Sequence, residues 1–289
     1  MTTVDLPHGS VRYRVVGPEH ATAPSVVFVH GFLVSGSLWT RTADALAAAG
    51  VRSYAPDWPL GSHTIALGPG ADQSPRGIAG QIVAFLAALE LEDVTLVGND
   101  TGGAICQFLL DGDASRIGRV VLTNCDAFDV FPPAPFDLVF KPFRNATAIQ
   151  ALLAPMRATA VRHSPAGFGL LVREPLDPEQ TRAWLEPCLT DAGVRDDVSR
   201  FVGKVDPQQL LAVSNRLGGF GGPALLVWGT GDRFFKLDHA RRLRDVFADA
   251  RLVEIEGGRT FVPHDEPARL AEEIAAFQPA YRSPSTSSG

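Results

Sequence analysis

Hydrophobic residues along the chain follow two patterns that alternate with each other. Short apolar runs rich in valine and leucine are typical of buried strands, and apolar residues spaced three and four positions apart predict helices. The predicted strands span 25–29, 51–55, 94–97, 119–123, 224–228 and 251–255, and an alternating segment at 11–16 predicts an antiparallel edge strand. The predicted helices span 39–49, 75–89, 237–247 and 267–277, with another that begins at Gly103. This alternation predicts an α/β fold whose mostly parallel sheet is covered by helices on both faces.

The alternation breaks between the fourth and fifth of these buried strands. Residues 128–217 contain a proline-rich start and several short helical patterns, but no convincing strand. We therefore predict an α/β core at 1–127 and 218–282 and a helical cap at 128–217. The last residues, 283–289, have the serine-rich composition of a disordered tail.

The segment from Gly98 to Gly102 joins a predicted strand to a predicted helix almost without a loop. Its central residue, Asp100, has a glycine two positions before it and another two positions after it. A strand that turns directly into a helix strains its central residue, and a Cβ at the flanking positions would crowd the crossing. The spacing is that of a nucleophile elbow, with aspartate in the position usually held by serine. Alternatively, Asp100 or Thr101 simply caps the helix.

Other chemically active side chains also fall at or just after the carboxyl ends of predicted strands. In parallel sheets these ends meet at one edge, where ligands bind. The residues that share this position are His30, Phe32, Trp58, His63, Asp100, Thr101, Asn124, Asp126 and Asp232. Helix capping by Asp100 does not explain such a gathering, so we predict that Asp100 belongs to a functional site.

Composition narrows the range of partners. The net charge of −6 disfavours a nucleic-acid or anionic-membrane partner. The three cysteines have no CxxC spacing, and no His, Cys or carboxylate set has metal-ligand spacing. Neither a signal peptide nor an apolar stretch of about twenty residues is evident. We expect a cytoplasmic monomer or homodimer that acts on a small molecule without a cofactor, a metal, nucleic acid or a membrane.

Residues 11–277 resemble the α/β-hydrolase fold family. The segment His30–Phe32 resembles the oxyanion loop of that family, residues 57–61 its next loop, Gly98–Gly102 its elbow, and Gly229–Asp232 its acid-bearing strand end. An aspartate nucleophile is similar to the branch that holds haloalkane dehalogenases, fluoroacetate dehalogenases and epoxide hydrolases.

The resemblance implies a two-step mechanism. Asp100 would attack a carbon atom and form an ester, which an activated water then hydrolyses. The backbone N–H groups of Phe32 and Thr101 would be the oxyanion donors. Asp232 would orient a histidine that activates the water.

The position of that histidine is occupied by Thr260, counted back from the helix start at Pro267. A threonine cannot accept a proton near neutral pH. His264, four residues later, and His63, in the loop after the predicted strand 51–55, are the remaining candidates for the base. His30 is expected to brace the oxyanion loop.

The residues that characterise the individual subfamilies of that branch are also missing here. Residues 128–217 contain no tyrosine to serve as the acid of an epoxide hydrolase, and Thr101 replaces the Trp or Arg that follows the nucleophile in the two kinds of dehalogenase. Three functions therefore remain open: a hydrolase with Asp100 as nucleophile, a lyase, isomerase or cyclase with Asp100 as general base, and a non-catalytic binder. All three suit an apolar pocket, for which the insertion offers Phe131, Phe136, Phe140, Phe143, Phe168 and Trp184. The alternative is that these residues form the insertion's own core.

Overall fold

An eight-stranded sheet forms the centre of the computed structural model, which describes residues 1–279. The strands are β1 (Thr2–Leu6), β2 (Gly9–Val16), β3 (Val26–Val29), β4 (Ser53–Pro56), β5 (Val94–Asp100), β6 (Ile117–Cys125), β7 (Ala224–Gly229) and β8 (Ala250–Ile255). Their order across the sheet is β1-β2-β4-β3-β5-β6-β7-β8. From β4 to β8 neighbouring strands are parallel, and β1 and β2 are antiparallel additions at one side. The predicted fold class is confirmed.

The predicted edge strand is not at the edge of the sheet. Residues 11–16 lie in β2, which pairs with β4 on one side and with β1 on the other. The edge strand is β1, at Thr2–Leu6, and the sequence reading missed it. It is short and mostly exposed on both faces, so it lacks the apolar run that marks a buried strand.

Twelve α-helices surround the sheet within residues 1–279. They are α1 (Thr40–Ala48), α2 (Pro75–Ala88), α3 (Thr101–Leu110), α4 (Phe136–Val139), α5 (Ala146–Leu153), α6 (Thr159–Arg162), α7 (Pro178–Thr190), α8 (Ala192–Lys204), α9 (Pro207–Ser214), α10 (Leu237–Val246), α11 (Val262–Asp265) and α12 (Pro267–Phe277). Helix α1 packs against α12, and α2 packs against α3. Helix α2 begins where its sequence predicts, because the Ser74 hydroxyl accepts a hydrogen bond from Gly77 N and Pro75 occupies the first turn.

Helices α4 to α9 form a cap-like insertion between β6 and β7. Its contacts with the core include two hydrogen bonds to main-chain carbonyls: Ser62 Oγ donates to Trp184 O at 2.7 Å, and Gln180 Nε2 donates to Ser37 O at 2.9 Å. A third contact joins His63 of the core to Asp197 of α8. The insertion is therefore fastened to the core along α7 and α8. The tail predicted at 283–289 lies outside the described residues.

The start of α3 crosses the sheet at very short range. A Cβ on Gly103 would lie 2.3 Å from Cys125 Cβ, and one on Gly98 would lie 2.7 Å from Cys106 Sγ. Because backbone and short buried side chains supply these contacts, they cannot move away cheaply. The close crossing of α3 over β5 and β6 therefore requires glycine at both positions.

We expect Gly103→Ala to lower the free energy of unfolding by about 1–3 kcal/mol, since overpacking forces α3 away from β6. The matched control is Gly80→Ala in α2, where an added Cβ meets nothing within 4 Å. That variant should gain up to about 1 kcal/mol from the better helix propensity of alanine. Urea denaturation of both variants measures the difference, and equal stability of the two would contradict the tight crossing.

Candidate active site

Asp100 occupies the tight turn between β5 and α3. Its backbone has φ 53° and ψ −133°, a region that a non-glycine residue adopts only under strain. Two further glycines permit this approach: a Cβ on Gly31 would lie 2.0 Å from Asp100 Oδ2, and one on Gly102 would lie 2.3 Å from Val29 O. The Asp100 side chain makes no capping hydrogen bond to α3 among the described residues. Helix capping therefore does not account for Asp100.

The carboxyl of Asp100 is held at the oxyanion loop. Phe32 N donates a hydrogen bond to Asp100 Oδ2 at 3.2 Å. Burial raises the pKa of Asp100 to about 7, while the amides of Phe32 and Thr101 lower it and the neighbouring charge of Asp232 raises it further. Asp100 is thus divided between its neutral and ionised forms near neutral pH.

Asp232 lies in the loop after β7, and its carboxyl accepts three hydrogen bonds. Its Oδ1 accepts hydrogen bonds from Phe234 N at 2.8 Å and Phe235 N at 3.2 Å, and its Oδ2 accepts one from Asn124 Nδ2 at 2.8 Å. Burial raises the pKa of Asp232, and these donors oppose that effect. Asn124 is itself fixed, because its Oδ1 accepts a hydrogen bond from Gly229 N at 2.6 Å. The carboxyl therefore has one orientation.

Thr260 is fully buried beside Asp232. Its hydroxyl faces the Asp232 carboxyl closely enough to lower the pKa of that group, but makes no hydrogen bond of regular geometry within residues 1–279. Its backbone carbonyl accepts a hydrogen bond from Asn99 Nδ2 at 2.7 Å. The side chain next to the acid is thus a threonine hydroxyl, where the family resemblance leads one to expect an imidazole.

The other candidate bases are engaged elsewhere. His63 Nε2 lies 3.0 Å from Asp197 Oδ2, and its Nδ1 accepts a hydrogen bond from Gly61 N at 3.3 Å. His264 Nε2 lies 3.1 Å from Glu174 O in the insertion. Both imidazoles therefore bind partners in the junction between core and insertion, and neither lines the cavity that contains Asp100.

His30 fixes the loop of residues 30–32 from within the core. Its Nε2 accepts a hydrogen bond from Trp58 N at 2.8 Å, so Nδ1 carries the proton and donates to Gly31 O at 2.9 Å. Burial lowers the pKa of His30 to about 4, so the ring is neutral at physiological pH. Trp58 is also structural, because its indole Nε1 donates to Phe28 O at 2.9 Å.

Asp126, at the end of β6, is a second unusual carboxyl. Burial, together with the nearby charge of Asp100, raises its pKa well above the ordinary range. Its Oδ2 accepts a hydrogen bond from Thr101 Oγ1 at 3.2 Å, whereas its Oδ1 has no partner in the described part of the chain. Burial therefore favours the protonated form of Asp126, whose Oδ2 engages the Thr101 hydroxyl.

A cavity of about 340 Å³ lies between the core and the insertion, with Asp100 on its wall. Asp100 and Thr101 are the only polar side chains in its lining. Seven aromatic rings contribute to the apolar remainder: Phe32, Phe136, Phe140, Phe143, Phe168, Phe234 and Phe235. Trp184, expected in the pocket, instead packs behind it against Phe168 and Phe261. The cavity suits a small, largely apolar molecule.

A second cavity of about 220 Å³ adjoins the first. The two share Phe32, Thr101, Pro132 and Phe140 as a common wall. Phe131, another predicted pocket residue, lies in this second cavity, whose lining also includes the charged side chains of Asp137, Lys141 and Arg144. Arg144 is exposed, so this cavity brings charged groups and solvent close to the Asp100 chamber.

The chain belongs to the α/β-hydrolase fold family, whose model matches residues 24–267. One similar sequence is the 2-hydroxy-6-oxononadienedioate/2-hydroxy-6-oxononatrienedioate hydrolase 1 of Dechloromonas aromatica, 26% identical over 227 residues, or 76% of this chain and 74% of the relative. An epoxide hydrolase of Caballeronia sordidicola is 33% identical over 84 residues, or 29% of this chain and 26% of that enzyme.

A solved structure of similar shape is the haloalkane dehalogenase DbeA from Bradyrhizobium elkani, with a TM-score of 0.77, 18% identity and 96% of each chain covered. That likeness establishes the fold alone. Because the similar proteins carry different activities, family membership does not select the reaction. No helix within residues 1–279 is both long and apolar enough to cross a bilayer. The same residues contain no group of three His, Cys, Asp or Glu side chains placed to hold a metal ion.

Asn99 also contacts the residues around Asp232, although no sequence pattern predicted it. Its side-chain amide donates to Thr123 Oγ1 at 2.8 Å and Asn124 O at 3.1 Å as well as to Thr260 O. These contacts join β5, β6 and the Thr260 loop. No motif marks such a residue, because its partners are mostly backbone carbonyls that are distant in sequence.

We expect Asp100→Asn to stabilise the protein, and more so at pH 8 than at pH 5. Unfolded Asp100 ionises at its ordinary pKa of 3.8, whereas the folded pKa is about 7. The cost to stability therefore grows as pH rises between these values and is complete above pH 7. At pH 8 the gain should be roughly 2–4 kcal/mol by urea denaturation. Asp5→Asn, at an exposed carboxylate, is the control; an equal response of both variants would contradict the cost of burying Asp100.

Proposed function

We propose that the protein is a hydrolase that acts on a small, largely apolar organic substrate through Asp100 as nucleophile. The observation that carries this proposal is the position of the Asp100 carboxyl. It projects from a strained elbow into the wall of an apolar cavity, with Oδ2 held by Phe32 N. Such a carboxylate is poorly solvated and oriented, which suits attack on an electrophilic carbon atom.

The first step forms an ester. An oxygen of ionised Asp100 forms a bond to the substrate carbon, and the bond from that carbon to the leaving group breaks, with its electron pair departing on the leaving group. When water then adds to the Asp100 ester carbonyl, negative charge develops on the former carboxylate oxygen. The amides of Phe32 and Thr101 stabilise that charge.

The lining of the two cavities supports a substrate with an apolar body and one anionic end. The larger cavity offers apolar walls around Asp100, and the smaller has Lys141 and Arg144 in its lining. The similar hydrolase of Dechloromonas aromatica is named for a dioate, a substrate that carries two carboxylates. We therefore place a carboxylate of the substrate near these two cations.

A second candidate function is an elimination or isomerisation in which Asp100 acts as general base. Two observations favour it. The pKa of Asp100 is about 7, which is suited to proton abstraction near neutral pH. In addition, a threonine rather than a histidine faces Asp232, so the residues that would activate water in the resembled branch are incomplete. In this reaction no bond forms between Asp100 and the substrate.

Intact-protein mass spectrometry after exposure to short alkyl bromides distinguishes the two functions. A nucleophilic Asp100 gives an alkyl adduct whose rate of formation rises with pH through about 7 as the carboxylate forms. After turnover in ¹⁸O-labelled water the label appears in Asp100. Asp100→Asn should abolish both results, and His264→Ala, outside the cavity, should retain them.

Turnover without adduct or label identifies the general base. A wild-type protein that neither reacts with the bromides nor turns over a broader panel of esters and epoxides contradicts catalysis by Asp100, and leaves binding as the function.

The smaller cavity has Lys141 and Arg144 in its lining against one carboxylate, Asp137, and this excess of positive charge predicts a preference for anionic substrates. We expect the double variant Lys141→Ala/Arg144→Ala to raise KM for an ω-bromocarboxylate about fivefold at low salt, with little change for the corresponding neutral amide. Arg157→Ala, at an exposed arginine of the insertion that lines neither cavity, is the control. Equal effects on both substrates would show that no carboxylate binds there.

A further inference from the structure

The loop that carries Thr260 holds this side chain in one place. Asn99 Nδ2 donates to Thr260 O at 2.7 Å, and the next residue, Phe261, donates its N–H to Leu171 O of the insertion at 2.9 Å. Thr260 and Asn99 are both 0% exposed. The backbone at Thr260 is therefore fixed, and with it the hydroxyl that faces the Asp232 carboxyl.

Both residues keep an unpartnered polar atom. Thr260 Oγ1 and Asn99 Oδ1 are buried without a hydrogen bond of regular geometry in the described part of the chain. A buried polar group without a partner lowers stability, so two on residues that touch each other require an explanation. Together they offer a hydroxyl and a carbonyl oxygen, the kind of polar partners that hold a buried water molecule.

Asp232 is placed to take up a proton at this point. Hydrogen bonds connect it to the Thr260 loop: Asn124 Nδ2 donates to Asp232 Oδ2 at 2.8 Å, and Asn99 Nδ2 donates to Asn124 O at 3.1 Å and to Thr260 O. Asp100 follows Asn99 directly in the chain, so these groups share one region of the site. The orientation of Asp232 is fixed by Asn124 and by the backbone N–H groups of Phe234 and Phe235. A hydroxyl cannot serve as a base alone, but it can pass a proton from water to a carboxylate in a single concerted step.

We propose that Thr260 and Asn99 hold the water that hydrolyses the Asp100 ester, and that Asp232 receives its proton through the Thr260 hydroxyl. This inference rests on the proposed function, because it supplies the second half of that reaction. The water oxygen forms a bond to Asp100 Cγ while its proton passes to Thr260 Oγ1 and the threonine proton passes to Asp232. The ester C–O bond then breaks, and the departing alkoxide takes the proton from Asp232 to leave as an alcohol.

The test separates formation of the ester from its hydrolysis. Thr260→Val removes the hydroxyl at nearly constant volume, and Thr260→Ser keeps it. Each protein is mixed with a short alkyl bromide, quenched at intervals and weighed intact. We expect all three proteins to form the adduct at similar rates. Thr260→Val should clear the adduct at least tenfold more slowly than wild type, and Thr260→Ser should clear it within about threefold of the wild-type rate.

Asp232→Asn provides a second variant in case Thr260→Val does not fold. It preserves shape, and it should also accumulate adduct. The clearance rate of the wild type should rise with pH as Asp232 ionises, and that rise should disappear in Asp232→Asn. A purely structural role for either residue would not remove the pH dependence of this one step.

Two kinds of result overturn the inference, and they differ in what they say of the proposed function. Clearance by Thr260→Val as fast as by wild type, or an adduct that the wild type never clears, refutes the proton relay but leaves Asp100 as the nucleophile. Absence of any adduct, with or without turnover, refutes the nucleophile and the relay together.

Discussion

The whole site depends on the backbone strain at Asp100. A residue with φ 53° and ψ −133° costs about 1–3 kcal/mol, and it persists only because its surroundings leave no alternative. Three glycines allow the close contacts there. Gly31 lies against the Asp100 side chain, Gly102 against the backbone of residues 29 and 30, and Gly103 against Cys125 of β6, so none of the three positions has room for a Cβ. Since strands β3, β5 and β6 all contribute to these contacts, the sheet registers themselves fix the position of one carboxyl.

The buried carboxyls of Asp100, Asp126 and Asp232 differ in the hydrogen bonds that offset their burial. Asp232 accepts three hydrogen bonds of regular geometry, which compensate in part for its burial. Asp126 accepts one, from a neutral hydroxyl, and is best accommodated as the acid. Asp100 stands between these extremes, with amide donors on one side and an apolar cavity on the other. Burial raises the pKa of all three carboxyls, and they differ in the number of donors that offset this effect.

Periodicity in the sequence was enough to place the central strands, because strands buried on both faces have continuous apolar runs. It failed for β1, whose alternate faces are exposed or only partly buried. The elbow was visible because its glycines are local in sequence. The surroundings of Thr260 were not visible in the sequence. Asn99, Asp232 and Leu171 are distant from Thr260 along the chain, and no local pattern indicates such contacts. The partners of His63 and His264 were invisible for the same reason: each lies in the insertion.

Phe32 combines two roles that belong to different parts of the residue. Its backbone N–H binds Asp100, while its side chain forms part of the wall between the two cavities. The first role is independent of side-chain identity, so mutation can remodel the wall while the amide stays in place. A smaller residue here would merge the chambers, and a larger one would divide them further. Variation of the side chain at position 32 can therefore alter the volume of the two chambers without removing the hydrogen bond that Asp100 accepts from the backbone.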